Sequence, residues 1–315
     1  MDEDLPLGPV IAAMPLYNEE ETIGTVVINS LKHVDEVFCV DDGSYDSSAR
    51  IASKLGAKVH YHRTNKGYGA ALKSIFKYAL NNNAKALVIL DSDGQHDPND
   101  IPLLLEPINN GESDFVIGSR FVEGGSGEEM PSYRKLGVKL ITATSNLTTD
   151  LSVKDTQSGF RAFSNRALKK IRFEQDGMES TLEMLEQCNE MGLSVSEVPT
   201  VIRYDVPKGS RFTALSHGFT VLSYALISLS QKKPILAFGL PGAGLLTLGS
   251  AIGMRTLNKF NEFTGSTLNL DITVGPGLTA AWLSMLGISL IFTGLVLQGT
   301  RTIMKRLLIR NFGVE

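Results

Sequence analysis

Ala86-Leu87-Val88-Ile89-Leu90-Asp91-Ser92-Asp93-Gly94-Gln95 is the stretch on which the fold turns. Five apolar, mostly branched residues run unbroken into two carboxylates one residue apart. A run this short reads as a buried strand. A strand ending in two acids presents them at the carboxyl edge of a sheet, where open α/β sheets bind ligands. Carboxylates so close repel unless a cation lies between them. Mg²⁺ and ions like it take oxygen ligands, often one or two carboxylates plus substrate phosphates. The plainer reading is a strand-end turn, because Asp, Ser and Gly are ordinary turn residues.

The neighbouring segments repeat the pattern. Pro9 to Met14, Glu36 to Val40, Ala57 to His62 and Phe115 to Gly118 read as further strands. Ser47 to Leu55 and Gly69 to Leu80 read as helices between them. Asn18 stands where a helix cap would, with Glu21 as its capping-box partner. Asp97-Pro98 opens another helix, with the cap and first-turn proline in favoured places. Strands and helices alternating at this spacing imply a mostly parallel, Rossmann-like sheet. The stretch Glu123 to Ser132 is polar and rich in glycine, and reads as a mobile loop or lid.

Composition divides the 315 residues. Most charge lies before about Arg211, and the remainder is largely apolar. The net charge of −4 offers no footprint for a nucleic-acid partner. Cys39 and Cys188 show no metal or disulfide spacing and read as buried packing thiols. Met1-Asp2-Glu3-Asp4 is acidic and does not read as a signal peptide. Ile235 to Met254 and Pro276 to Leu297 carry no charge, and each approaches the ~20 residues of a spanning helix. Lys232 and Lys233 flank the pair on one side, and Arg301, Lys305, Arg306 and Arg310 on the other. The positive-inside rule then puts both flanks, and the N-terminal domain, in the cytoplasm of a multi-pass membrane protein. Phe212 to Ser230 has apolar residues near helical spacing. It fits a helix in the membrane interface, or one packed on the soluble domain. The expected domains are 1–211, 212–233 as interface helix, and 234–315 as a transmembrane hairpin with a basic tail.

Four polar clusters fall at strand ends on one edge: Pro15-Leu16-Tyr17-Asn18-Glu19, Asp41-Asp42-Gly43-Ser44, Asp91-Ser92-Asp93 with Gln95, and Gly118-Ser119-Arg120. Several carboxylates, a divalent ion and an arginine suit a sugar nucleotide. Asp42 can accept from a ring N–H of the base, and Arg120 can bind a phosphate bidentately.

These strings resemble glycosyltransferase family 2, inverting enzymes of the GT-A fold. Ile117-Gly118-Ser119-Arg120-Phe121, Asp155-Thr156-Gln157-Ser158-Gly159-Phe160-Arg161 and Glu197-Val198-Pro199 narrow the resemblance to polyprenyl-phosphate hexose synthases. It covers roughly residues 9 to 212. The resemblance implies that Pro15, Tyr17, Glu19, Val40 and Asp42 contact the nucleotide. It places Asp91 near the ribose and diphosphate, and Asp91, Asp93 and Gln95 around Mg²⁺ or Mn²⁺. It gives Arg120 and Arg203 to phosphates, Lys208 to closure over the donor, and Arg134 to the lipid phosphate. Asp93, Arg120 and Arg134 would carry catalysis. The partners implied are a nucleotide sugar such as GDP-mannose or UDP-glucose, a dolichyl or other polyprenyl phosphate, and a membrane. The product would be a lipid-linked sugar for glycosylation, and a homo-oligomer stays open. There is no Gln-x-x-Arg-Trp string, so chain elongation is disfavoured.

Other residues have plainer readings. His96 faces solvent or joins the metal site. His60 and His62 alternate on a strand and share a surface face. Met178, Glu179 and Glu183 lie on a helix, as solvated residues or as site residues. The rival readings are a sugar-1-phosphate nucleotidyltransferase, disfavoured because no basic Gly-rich loop follows the first strand, and a non-catalytic membrane scaffold.

Overall fold

A computed structural model describes residues 7–126, 130, 132–149, 151–173, 177, 180–203, 222–223, 226–262 and 270–312. Residues 132–134, 261–262, 270–273 and 305–312 are described in backbone only. The chain divides into two compact units, Met1–Ala225 and Leu226–Glu315.

The first unit is built on a seven-stranded sheet of order β3-β2-β1-β4-β6-β5-β7. Its strands are β1 (Val10–Leu16), β2 (Glu36–Asp41), β3 (Lys58–Tyr61), β4 (Ala86–Ile89), β5 (Phe115–Ser119), β6 (Arg161–Ser164) and β7 (Val195–Pro199). All pairings are parallel except those of β6, which runs antiparallel between β4 and β5. The fold is therefore the mostly parallel α/β sheet expected of GT-A proteins.

Both faces of the sheet are covered. Ile11 and Ala13 of β1 face a cluster with Leu72, Ile75 and Phe76 of α3 (Tyr68–Asn81), Leu168 of α6 (Asn165–Lys170) and Leu185 of α7 (Ser180–Glu190). Ala12 and Met14, one residue out of phase, face Val26 and Val27 of α1 (Ile23–Ser30), Ala52 of α2 (Ser48–Lys54) and Leu104 of α4 (Ile101–Asn109). The period-two alternation of a strand buried on both sides explains why these runs are continuously apolar.

Two local expectations need correcting. Asn18 does not cap α1, which begins five residues later with Thr22 at the cap position. Asn18 adopts φ of 57° and accepts from the Tyr45 N–H, so it joins two loops instead. Asp97 does cap, accepting from Asn99 N, but a single 3₁₀ turn, Pro98–Asp100, precedes α4.

Helix α5 (Ser132–Thr149) has an unusual division of residues. Val138, Ile141, Thr142, Thr144, Ser145, Thr148 and Thr149 are buried. Leu136, Leu140 and Leu147 are 70, 52 and 46% exposed, and Lys135 and Lys139 lie beside them on the same outer face.

The second unit contains a short π-helical segment, Ile235–Gly239, then α8 (Leu240–Glu262) and α9 (Leu270–Phe312). Apolar stretches of 26 residues, Ile235–Phe260, and 31 residues, Val274–Met304, are long enough to cross a bilayer. Only 11 and 17% of their most apolar windows are buried, whereas the core helix of a soluble protein is mostly buried. The helices pack through small residues: a β-carbon on Gly242 would lie 2.7 Å from the Gly287 carbonyl oxygen, and one on Gly249 would lie 2.5 Å from Ser284 Oγ. Most of the expected interface helix, 212–233, lies outside the described residues.

Candidate active site

The loops that leave β1, β2 and β4 meet at one edge and are stitched together. Ser92 Oγ donates to the Pro15 carbonyl at 2.8 Å, and Thr22 Oγ1 donates to the Ser92 carbonyl at 2.8 Å. Asn18 N donates to Ser44 Oγ, and Glu19 N donates to Ser48 Oγ at 2.7 Å. The carboxylate turn is thus anchored on the first motif and on Thr22, and the first motif is tied in turn to the second. Val40 is wholly buried, Pro15 is half-buried, and Tyr17 is exposed, meeting Tyr45 edge-on at 6.4 Å between ring centroids.

Asp91 and Asp93 occupy the turn after β4. Burial pushes Asp91 up to about 6, against the pull of Arg161 and Arg120. Burial raises Asp93 as well, and the charge on Asp91 adds to it. Two carboxylates that both hold protons more tightly than usual are a pair that a cation stabilises. Asp93 Oδ1 accepts from Gln95 N, which closes the turn. The Gln95 carbonyl accepts from Arg203 N at 3.0 Å, so the end of the chain segment after β7 reaches the acidic turn. The structure therefore brings Arg203 beside Gln95, although 108 residues separate them, counting from 95 to 203.

Among the described residues, no three His, Cys, Asp or Glu side chains gather into a ligand set. Two carboxylates with a neighbouring amide do not suit the closed coordination of structural zinc. They do suit Mg²⁺ or Mn²⁺ chemistry, which leaves most positions to phosphate and water.

His96 does not face solvent. It is 3% exposed, stacks at a tilt on Phe160, and its Nδ1 accepts from Asp91 N at 3.3 Å. Burial pushes it down to about 4, so it is neutral and fixes the Asp91 backbone.

Arg120 is placed differently from the free phosphate grip read from its motif. Its Nε and Nη2 each donate to Asp155 at 2.7 Å, and its backbone N–H donates to the same carboxylate. The pair is buried. Glu197 of β7 accepts in turn from Lys154 N and Asp155 N. The three strings holding Arg120, Asp155 and Glu197 are thus one hydrogen-bonded network. Arg161 is 1% exposed and donates to the carbonyls of Ser158, Thr156 and Thr181.

Asp42 is 5% exposed and accepts from Lys66 N, Gly67 N and His62 Nδ1. His62 therefore leaves the surface face assigned to it. Strand β3 stops at Tyr61, and the next residue turns inward. The side chain of Arg134 lies outside the described residues, as do Lys208, Met178 and Glu179. The described Glu183 is buried.

The sequence profile of glycosyl transferase family 2 matches residues 12–172, half of the chain. The chain belongs to glycosyl transferase family 2. The UDP-N-acetylglucosamine–dolichyl-phosphate N-acetylglucosaminyltransferase of Methanococcus voltae is 32% identical over 70% of this chain and 95% of its own. The dolichol-phosphate mannosyltransferase of Pyrococcus furiosus is 33% identical over 56% of this chain and 52% of its own. Among solved structures, glucosyl-3-phosphoglycerate synthase of Mycobacterium tuberculosis, crystallised with Mn²⁺, UDP and phosphoglyceric acid, aligns with a TM-score of 0.55. That alignment covers 70% of this chain and 78% of the other at 24% identity, and it supports a shared fold.

Within the family 2 site, sequence reasoning missed the partners rather than the motifs. The Asp155 carboxylate was visible as part of a string, but its bond to Arg120 spans 35 residues. His62 carried no motif at all.

Proposed function

We propose that this transferase moves a hexose or N-acetylhexosamine from a nucleoside diphosphate sugar to a polyprenyl phosphate. The observation that carries the reading is the conjunction, in one chain, of the Asp91/Asp93 edge with two apolar helices of membrane-crossing length. The names of its relatives support it, since both act on dolichyl phosphate.

The reaction forms a bond from a lipid phosphate oxygen to the anomeric carbon as the bond from that carbon to the β-phosphate oxygen breaks. The nucleoside diphosphate departs with the bonding pair, and attack from the opposite face inverts the centre. A lipid phosphate is anionic at neutral pH and needs no general base, so positioning dominates. Asp91 and Asp93, with Gln95, would hold Mg²⁺ or Mn²⁺, which neutralises charge on the leaving diphosphate. Arg203 stands beside that turn to meet a phosphate, with Lys208 closing over the donor. The Arg120–Asp155 pair supports the same edge from within. Pro15, Tyr17, Glu19, Val40 and Asp42 form the nucleotide side, and Arg134 meets the acceptor.

On this reading residues 1–211 form the cytoplasmic catalytic domain, 212–233 lies at the interface and 234–315 crosses the membrane. The outward leucines and lysines of α5 suit a surface held against anionic lipid.

The test is incubation of membranes containing the chain with labelled sugar nucleotides and polyprenyl phosphate, with and without chelator. Label should enter the lipid extract only with metal, and Asp93→Asn should abolish it. A scaffold would give no labelled lipid with any donor. A nucleotidyltransferase would leave the lipid unlabelled and, given pyrophosphate, would convert the labelled sugar nucleotide to labelled sugar 1-phosphate and a nucleoside triphosphate.

A further inference from the structure

The contacts around Asp42 carry the reading one step further, to the base of the donor. Asp42 follows β2 at the ligand-binding edge, and an ionised carboxylate has about four acceptor sites. His62 Nδ1 fills one on Oδ1 at 2.6 Å. Gly67 N fills one on Oδ2 at 2.8 Å. Lys66 N is shared, at 3.0 Å from Oδ1 and 3.1 Å from Oδ2. Three donors leave room for about one more.

His62 itself has little freedom. Its backbone N–H donates to the Asp41 carbonyl at 2.8 Å. Its Nε2 pairs with Ser74 Oγ at 2.9 Å, and its side chain is 4% exposed. The His60 ring packs edge-on at 5.4 Å. The imidazole is clamped between β3 and α3, so Oδ1 is committed before any ligand arrives.

Bases differ in what they ask of a carboxylate. Guanine presents N1–H and N2–H side by side, and a carboxylate reads that edge with both oxygens. Uracil presents a single N3–H between two carbonyls. A carboxylate with one free site satisfies uracil and leaves a guanine donor unpaired, a costly outcome at a desolvated site.

We infer that His62 is a specificity-determining residue, and that by occupying Asp42 it makes the site prefer a uridine diphosphate donor over a guanosine diphosphate donor. This rests on the reading in which Asp42 meets the base. His62 acts through Asp42 as a positioning residue.

The experiment is calorimetric titration of UDP and GDP into the full chain in detergent with Mn²⁺. The wild type should bind UDP at least about tenfold more tightly. His62→Phe cannot donate and releases Oδ1, so UDP binding should weaken and the preference should shrink to about threefold or less. His62→Asn places an amide N–H near the Nδ1 position and should restore most of the preference. Equal or tighter binding of GDP by the wild type overturns the base assignment while leaving the transferase reading intact. So does a His62→Phe protein that loses both nucleotides equally. Binding of neither nucleotide to the wild type refutes the transferase reading beneath it. The wild-type ratio stands as a test even where His62→Phe does not fold.

Discussion

Gly159 vacates the space that the Asp91 carboxylate fills. A β-carbon built on Gly159 would overlap Asp91 Oδ2 and lie 2.9 Å from Cγ and 3.0 Å from Oδ1. The string Asp155 to Arg161 therefore does more than precede β6. Its glycine lets a carboxylate at the end of β4 lie flat against backbone, and Ser158 and Arg161 hold that backbone in place.

Gly159→Ala should displace Asp91 without removing it. Small misplacements of a positioned group cost about a hundredfold in rate. Transfer should fall by that order, and Mn²⁺ should be needed at higher concentration, while the melting temperature changes little. Initial rates across a Mn²⁺ series check this. A normal rate in Gly159→Ala would show that the Asp91 position is not critical.

The Arg120–Asp155 pair predicts a different signature. Removing one partner of a buried ion pair strands the other, at a cost of about 3–5 kcal/mol. Asp155→Ala should therefore lower the melting temperature by roughly 10 °C or more. Replacing both, as Arg120→Met with Asp155→Leu, should recover much of the stability. Transfer should stay low in the double variant, because the edge that Arg120 supports has lost its charge. Thermal melts beside activity assays separate the two effects.

How much of this was legible follows from where the information lies. The strand before Asp91 showed itself because a strand buried on both faces needs a continuous apolar run, and the acids at its end broke that run sharply. Strand β6 did not show itself. It is four residues long and opens with Arg161, whose charge hides a fully buried position satisfied by three carbonyls. His62 misled because alternation was carried one residue past the end of β3. The Arg120 partner was hidden because periodicity reports local geometry, and a contact across 35 residues is a property of the closed sheet.

The native cysteines predict a pH-independent silence. Burial pushes both Cys39 and Cys188 up to about 12. A thiol must ionise to react, so neither should alkylate in the folded protein between about pH 7 and 9. Both should react once the chain is unfolded. That silence makes single introduced cysteines readable. In intact cells an impermeant maleimide should label Ser266→Cys, in the hairpin loop outside the described residues, and not Ser132→Cys. Outside labelling of Ser132→Cys would reverse the proposed topology.

Arg134 lies in the first turn of α5, just after the Gly-rich loop. If it meets the acceptor, Arg134→Ala should raise the apparent KM for polyprenyl phosphate by roughly ten- to a hundredfold, the value of one charge-assisted contact. Nucleotide binding should barely change, because other groups hold the donor. Arg134→Lys should recover only part, since lysine lacks the planar fork. Weaker donor binding with normal lipid dependence would move Arg134 to the other side of the reaction.

The outer face of α5 gives the last prediction. Leu136 and Leu140 are exposed at i and i+4, flanked by Lys135 and Lys139, while Thr142, Thr144, Ser145, Thr148 and Thr149 of the same helix are buried. Such a face loses hydration cost only where an apolar boundary covers it, and each leucine so covered contributes about 1.5–3 kcal/mol when fully buried. A face half-immersed in lipid gains less, on the order of 1 kcal/mol per leucine. The double variant Leu136→Gln, Leu140→Gln should then lose about tenfold in transfer to a long-chain polyprenyl phosphate in anionic vesicles. With a short-chain, water-soluble phosphate acceptor in detergent it should keep its rate within about twofold, because the catalytic edge is untouched. Raising salt should weaken wild-type transfer in vesicles and leave the detergent reaction alone, since Lys135 and Lys139 are screened within a Debye length. Equal losses in both assays would make the stripe part of the folded core and not a surface that meets the bilayer.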